Sequence, residues 1–261
     1  MKTHLRRGGL LAAVVACVAL VGAGTAAAAP GDGSAFGLSV DVKLLGADAV
    51  KAGPFAAAST KGPTQNTFAG VNLPGVLTSG VINTEAKRDD NSGQVDAKAS
   101  TADVGLPLLK AALGNVGAKA IEATCVATQK GVTGSSTLAG ANLGSLGSVP
   151  VTPAANTKLE VKLPVIGNVA TVILNEQINN TKDGSLTVNA LHVKLLGGGL
   201  AGAIGSGDVI ISSATCGPAG LPVPLASGAG MWIGFGLLGA IAVPVGIRVT
   251  RNRRSSASAA A

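Results

Sequence analysis

Apolar and polar side chains alternate one for one along residues 37–45: Leu38, Val40, Val42 and Leu44 share one face, and Ser39, Asp41 and Lys43 the other. A period of two is that of a strand with one buried and one solvated face. Val95, Ala97 and Ala99 repeat the pattern against Asp96, Lys98 and Ser100. The run 79–88 meets that strand through residues 89–93, whose Asp, Asn, Ser and Gly suit a tight turn. A second hairpin is predicted between 168–178 and 185–196, joined by 179–184, and residues 207–216 read as a further strand. Helical periodicity is scarce, and Gly, Pro, Ser and Asn punctuate the runs as they do in all-β domains. The expected fold is all-β: a single β-sandwich or distorted barrel over 30–218, with 131–157 as long loops.

Two segments break this pattern by being apolar throughout. Near the N-terminus a basic start with Lys2, Arg6 and Arg7 precedes an apolar run, which ends in small residues before Pro30. That layout predicts a secretory signal peptide over 1–28, with an uncleaved anchor as the alternative. Near the C-terminus, Val209–Ile247 carries no charged side chain, and within it 225–247 supplies 23 residues. As a helix these would measure roughly 34 Å, enough for a hydrocarbon core of about 30 Å. Arg248, Arg251, Arg253 and Arg254 follow, so the positive-inside rule keeps 248–261 cytoplasmic as a stop-transfer tail and exports the body. Residues 219–224 become a juxtamembrane stalk. The stretch Leu221–Gly228 resembles a sortase signal, but Pro224 and Leu225 stand where Thr and Gly are required. Membrane retention is therefore expected rather than wall attachment. Gly230 and Gly234 form a GxxxG pair of the kind that seats a second helix in a homodimer, against the alternative of plain lipid exposure.

Charge follows the same division. The chain carries a formal +7, yet the 218 residues from Pro30 to Ile247 hold thirteen positive and thirteen negative side chains. A neutral body lacks the footprint that phosphate binding requires, so nucleic acid is not an expected partner. Aromatic residues are also few: residues 30–218 contain Phe36, Phe55 and Phe68, with no Trp or Tyr. Stacking platforms for bases are missing, and carbohydrate sites lose weight for the same reason.

Cys17 belongs to the predicted signal peptide, which leaves Cys125 and Cys216 in the body. An even pair in an oxidising compartment reads as a disulfide, with two buried thiols as the alternative. Gly197, Gly199 and Gly202 match a dinucleotide fingerprint formally, but no acidic residue lies about 20 positions on, and a glycine-rich loop is the better reading. Asn179, Thr181, Asp183 and Gly184 resemble the opening of a calcium loop whose twelfth position is Ala190 instead of Glu, so a plain turn is expected. His192 is the one histidine of the body; between Leu191 and Val193 it is expected on the solvated face of its strand. No G-x-S-x-G elbow accompanies it. Pairs among Glu85, Glu122, Glu160 and Glu176 are the remaining acid–base candidates, and sequence does not bring them together. No catalytic, cofactor-binding or metal-ligating residue is assigned.

Several stretches together carry a resemblance: residues 34–46, the AIEATC run at 120–125, the NALHVKLLGGG run at 189–199 and the ATCG run at 214–217. In combination they resemble the choice-of-anchor P family of exported bacterial proteins across about 34–217. That resemblance implies surface display and brings no site residues with it. The expected function is a membrane-tethered, cell-surface β domain with a non-catalytic envelope, adhesion or ligand-binding role. Its partners would be the lipid bilayer and an envelope or extracellular ligand. An extracellular hydrolase of unrecognised type is the alternative.

Overall fold

In the computed structural model, residues 28–44, 48–164, 166–197 and 205–222 are described. Among the described residues, fifteen strands form two antiparallel sheets. The chain begins in the first sheet with β1 (Gly33–Leu44), β2 (Ala49–Phe55) and the short β3 (Ala58–Ser59). It then crosses to the second sheet for β4 (Gln65–Phe68), β5 (Asn72–Leu73), β6 (Leu77–Thr78), β7 (Ile82–Arg88), β8 (Val95–Gly105), β9 (Val116–Thr128), β10 (Gly131–Ala139) and β11 (Asn142–Leu143). It returns to the first sheet with β12 (Thr157–Leu163), β13 (Gly167–Asn180), β14 (Ser185–Leu195) and β15 (Gly205–Cys216). The first sheet runs β12-β13-β14-β15-β1-β2, so the earliest strand is seated between the last one and β2. The second is built on the meander β7-β8-β9-β10, with β4 beside β7.

Both predicted hairpins form. The 89–94 turn closes with Gly93 N donating to Asp89 O at 2.7 Å, and the 181–184 turn with Gly184 N donating to Asn180 O at 2.8 Å. Leu38, Val40 and Val42 of β1 are buried, as their alternation requires, in one core cluster with Val95 and Ala97 of β8 and Ile121 and Ala123 of β9. The buried apolar residues include no aromatic side chain, so Val, Leu, Ile and Ala fill the core. The architecture is a two-sheet sandwich rather than a distorted barrel.

Residues 131–139 depart from expectation: they form β10, paired with β9 from Gly131↔Thr128 to Ala139↔Ala120. Low hydrophobicity concealed this strand. Two of its inward positions, Gly134 and Ser136, are small where β10 lies close over β14, and a side chain at Gly134 would run into Val188 and Leu186. Glycine here reports a tight approach of two sheets, not a loop.

One further irregularity shapes the site. In β14, Leu186, Val188 and Ala190 face the core, and then Leu191, Val193 and Leu195 do. The facing phase slips by one residue between Ala190 and Leu191. The same row holds Asn175 of β13 at φ 49° and Ser212 of β15 at φ 55°, while the pairing register is unchanged on either side. Left-handed backbone is costly for non-glycine residues. At Ser212 it is compensated by a hydroxyl that donates to Ile121 O at 2.8 Å and meets Thr101 Oγ1 at 2.9 Å. Thr101 Oγ1 in turn donates to Gly37 O at 3.1 Å. These buried hydroxyls tie the two sheets together at mid-height.

Cys125 of β9 and Cys216 of β15 are joined in a disulfide with Cα atoms 5.8 Å apart. Both are fully buried, and the bond cross-links the two sheets near the end where the chain leaves. The predicted signal peptide with Cys17, the 225–247 segment with Gly230 and Gly234, and the arginine tail lie outside the described residues. Among the described residues no helix is long and apolar enough to cross a membrane.

Candidate functional site

On the face of the first sheet turned away from the core, β13, β14 and β15 bring Glu176, His192 and Asp208 together. His192 Nδ1 lies 2.8 Å from Glu176 Oε2, and its Nε2 lies 2.8 Å from Asp208 Oδ1. Asn189 Nδ2 donates to the same Glu176 oxygen at 2.7 Å, and Ser213 Oγ donates to Asn189 Oδ1 at 2.7 Å. The phase slip makes this possible. Asn189 and His192 are three residues apart, so strict alternation would put them on opposite faces. With the slip both point outward, above and beside Glu176.

His192 faces away from the core as expected, but it is not solvated: only 6% of its surface is exposed. The reason is its setting on a central strand, flanked in register by Ile173 and Ile210 and capped at both nitrogens by carboxylates. A neutral imidazole would turn a lone pair toward one of those carboxylates, so the geometry calls for the doubly protonated ring. Burial disfavours that charge, yet the hydrogen bonds and negative charges of Asp208 and Glu176 outweigh it and raise the pKa from 6.5 to about 9. Burial likewise pushes Glu176 upward, but His192, Asn189 and the nearby Lys194 hold it below the usual carboxylate range. For Asp208 the hydrogen bond from His192 comes first and, against burial, lowers its pKa.

This constellation can hold a charge, and its imidazole offers no free base. Both ring nitrogens are occupied, and the nearby Ser213 hydroxyl is committed to Asn189 rather than to the histidine. The two nitrogens also point to different carboxylates, so the three groups do not converge on one point. Among the described residues no group of three or more His, Cys, Asp or Glu side chains is arranged to hold a metal ion.

The other candidates are dispersed. Glu85 pairs with Lys87 and with Gln65, Glu122 with Lys98 at 2.8 Å, and Glu160 with Lys162 at 2.7 Å. None of these bonds joins two of the four glutamates. In the 179–184 region, Asp183 Oδ1 accepts from Ser185 N at 2.9 Å and from Ser185 Oγ at 2.7 Å, which closes a turn. Gly197 follows the end of β14, whereas Gly199 and Gly202 lie outside the described residues. Asp208 and Asn189 were not singled out in the sequence. Their only signal is a pairing register that no local pattern reveals.

An open groove of about 410 Å³ lies at the end of the sandwich opposite the chain exit. Its floor includes the cross-strand pair Gly105↔Gly117, and its rim carries Thr78, Asn115, Asn142 and the exposed Asp103–Lys119 ion pair at 3.7 Å. The rim offers donors and acceptors of both signs without a nucleophile–base pair. No family model matches the chain, and neither a curated protein nor a solved structure matches it.

Proposed function

We propose that the chain is an exported, membrane-tethered β-sandwich with a non-catalytic role at the cell surface, in envelope structure, adhesion or ligand binding. The observation that carries this reading is how the chain enters and leaves the sandwich. Gly31 N donates to Pro218 O at 2.8 Å and Gly217 N to Asp32 O at 2.9 Å, so the two segments that lead to the apolar stretches emerge side by side at one end. A body held at one end presents its opposite end, with the groove, to the surroundings. The buried inter-sheet disulfide suits an oxidising compartment. The neutral body, the scarcity of aromatic side chains and the occupied nitrogens of His192 favour binding or scaffolding over hydrolysis. The resemblance to choice-of-anchor P proteins points the same way.

Fractionation of intact cells with protease shaving tests the proposal. The full chain is expected in the membrane fraction with its body accessible to protease, and a chain ending at Pro222 is expected in the medium. Full-length protein free in the medium, or bound covalently to the wall, would contradict tethering through 225–247.

A further inference from the structure

Beyond Cys216 the chain does not leave the body at once. Gly220 N donates to Gly93 O at 2.8 Å, Gln129 Nε2 donates to Gly220 O at 2.8 Å, and Arg88 Nη2 donates to Leu221 O at 3.3 Å. The contact is close as well as bonded. A side chain at Gly93 would run into the Gly220 carbonyl, one at Gly220 would meet Arg88 Cζ at 2.9 Å, and one at Gly31 would meet Arg88 Nη1 at 2.6 Å. Arg88 is the single arginine between Pro30 and Ile247. Its guanidinium lies between the entering and the departing segments and pairs with Asp90 at 3.3 Å.

We infer that this clamp is a mount: it holds the end of the sandwich formed by the 89–94, 129–130 and 181–184 turns against the lipid surface and points the groove end away from it. The inference rests on the tethering proposed above. Leu221 is the last clamped residue and the predicted span begins at Leu225, four residues on. At about 3.1–3.5 Å per residue, this leash of four residues can reach no more than about 12–14 Å. If 217–221 were released, the leash would start at Cys216 and reach about 30 Å. The longest strand, β13, has 14 residues and measures about 46 Å, so the clamped leash is short relative to the body and the released one is not. The turns at this end mix Asp89, Asp90 and Asp183 with Lys130 and Lys182. Leash length, not attraction to anionic headgroups, therefore sets the orientation.

The test uses the full chain, with Cys17→Ser and its native disulfide, reconstituted into phosphatidylcholine vesicles that carry an acceptor dye on their headgroups. A donor dye is placed at Lys182→Cys on one end or at Asn115→Cys on the other. Energy transfer from position 182 is expected to exceed that from 115 several-fold, to be unchanged when anionic lipid is added, and to become more nearly equal in Arg88→Ala with Gln129→Ala. Equal transfer from both positions in vesicle-bound protein overturns the mount, as does a difference that the double substitution leaves intact. Protein that stays out of the vesicles overturns the tethering and the orientation together. Rapid exchange of the Gly220 amide in the folded chain, against the slow exchange expected of a hydrogen-bonded amide, overturns the clamp itself.

Discussion

Reduction of the Cys125–Cys216 bond, or its removal by Cys125→Ala with Cys216→Ala, is expected to lower the melting temperature by about 10–20 °C. The bond spans 91 residues of sequence. Closing a loop of that length restrains the unfolded chain by about 4–5 kcal/mol on the chain-entropy argument. For a domain of this size each kcal/mol moves the midpoint by about 2–4 °C. The effect is large here for a second reason. The bond joins β9 of one sheet to the last residue of β15 in the other, and the exit segment continues directly from Cys216 to its clamp on Gly93 and Gln129. Loss of the bond is therefore expected to loosen the exit as well as the sheets. Thermal unfolding with and without reductant, followed by circular dichroism, checks this; midpoints within about 3 °C of each other would refute it.

Replacement of His192 by Leu is expected to destabilise the fold by about 2–4 kcal/mol. The leucine removes the cation that neutralises Glu176 and Asp208, and the Glu176 side chain is only 13% exposed. Removing one partner of a buried pair costs more than the pair itself contributed, because an uncompensated charge remains; the half-exposed Asp208 moderates the loss. The accompanying pH dependence has a definite sign. The folded-state pKa of His192, about 9, lies above its ordinary 6.5, so its stabilisation is complete below about 6.5. It is then lost as the pH rises toward 9, where the unfolded chain has already given up the proton that the folded one keeps. Glu176 and Asp208, both lowered, act in the opposite direction: their contribution holds above the ordinary carboxylate range and is lost in acid. Urea unfolding should therefore show wild-type stability falling between about pH 6.5 and 9, with the decline absent in His192→Leu. A parallel decline in both proteins would refute the assignment.

How much of this was legible in the sequence depended on whether the signal was local. Period-two alternation exposed β1 and β8, whose buried and solvated positions alternate, and the apolar runs of β14 and β15 were legible from the turn residues that bound them, as were the 89–94 and 181–184 hairpins. The disulfide was legible from the count of body cysteines. Strand β10 was not, since Gly134 and Ser136 occupy inward positions that depend on a partner strand more than fifty residues away in sequence. The His192 cluster was legible only in part. The histidine and Glu176 stood out, but their convergence with Asn189 and Asp208 depends on a slip in facing phase at Asn175, Ala190 and Ser212, where alternation gives the wrong side. The clamp on 217–221 was hidden for a similar reason, because Gly93, Gln129 and Arg88 meet Gly220 and Leu221 only after the sheets are formed.

The proposed display role makes the body's one histidine, His192, a fixed cation and not a base. The most direct measurement is an NMR titration of the His192 ring in the full chain with ¹⁵N-labelled histidine. Both ring nitrogens are expected to be protonated at neutral pH, with deprotonation near pH 9 and slow exchange of the ring protons with water. A neutral ring at pH 7, with one nitrogen free to accept a proton, would contradict the account and return His192 to the candidates for a general base.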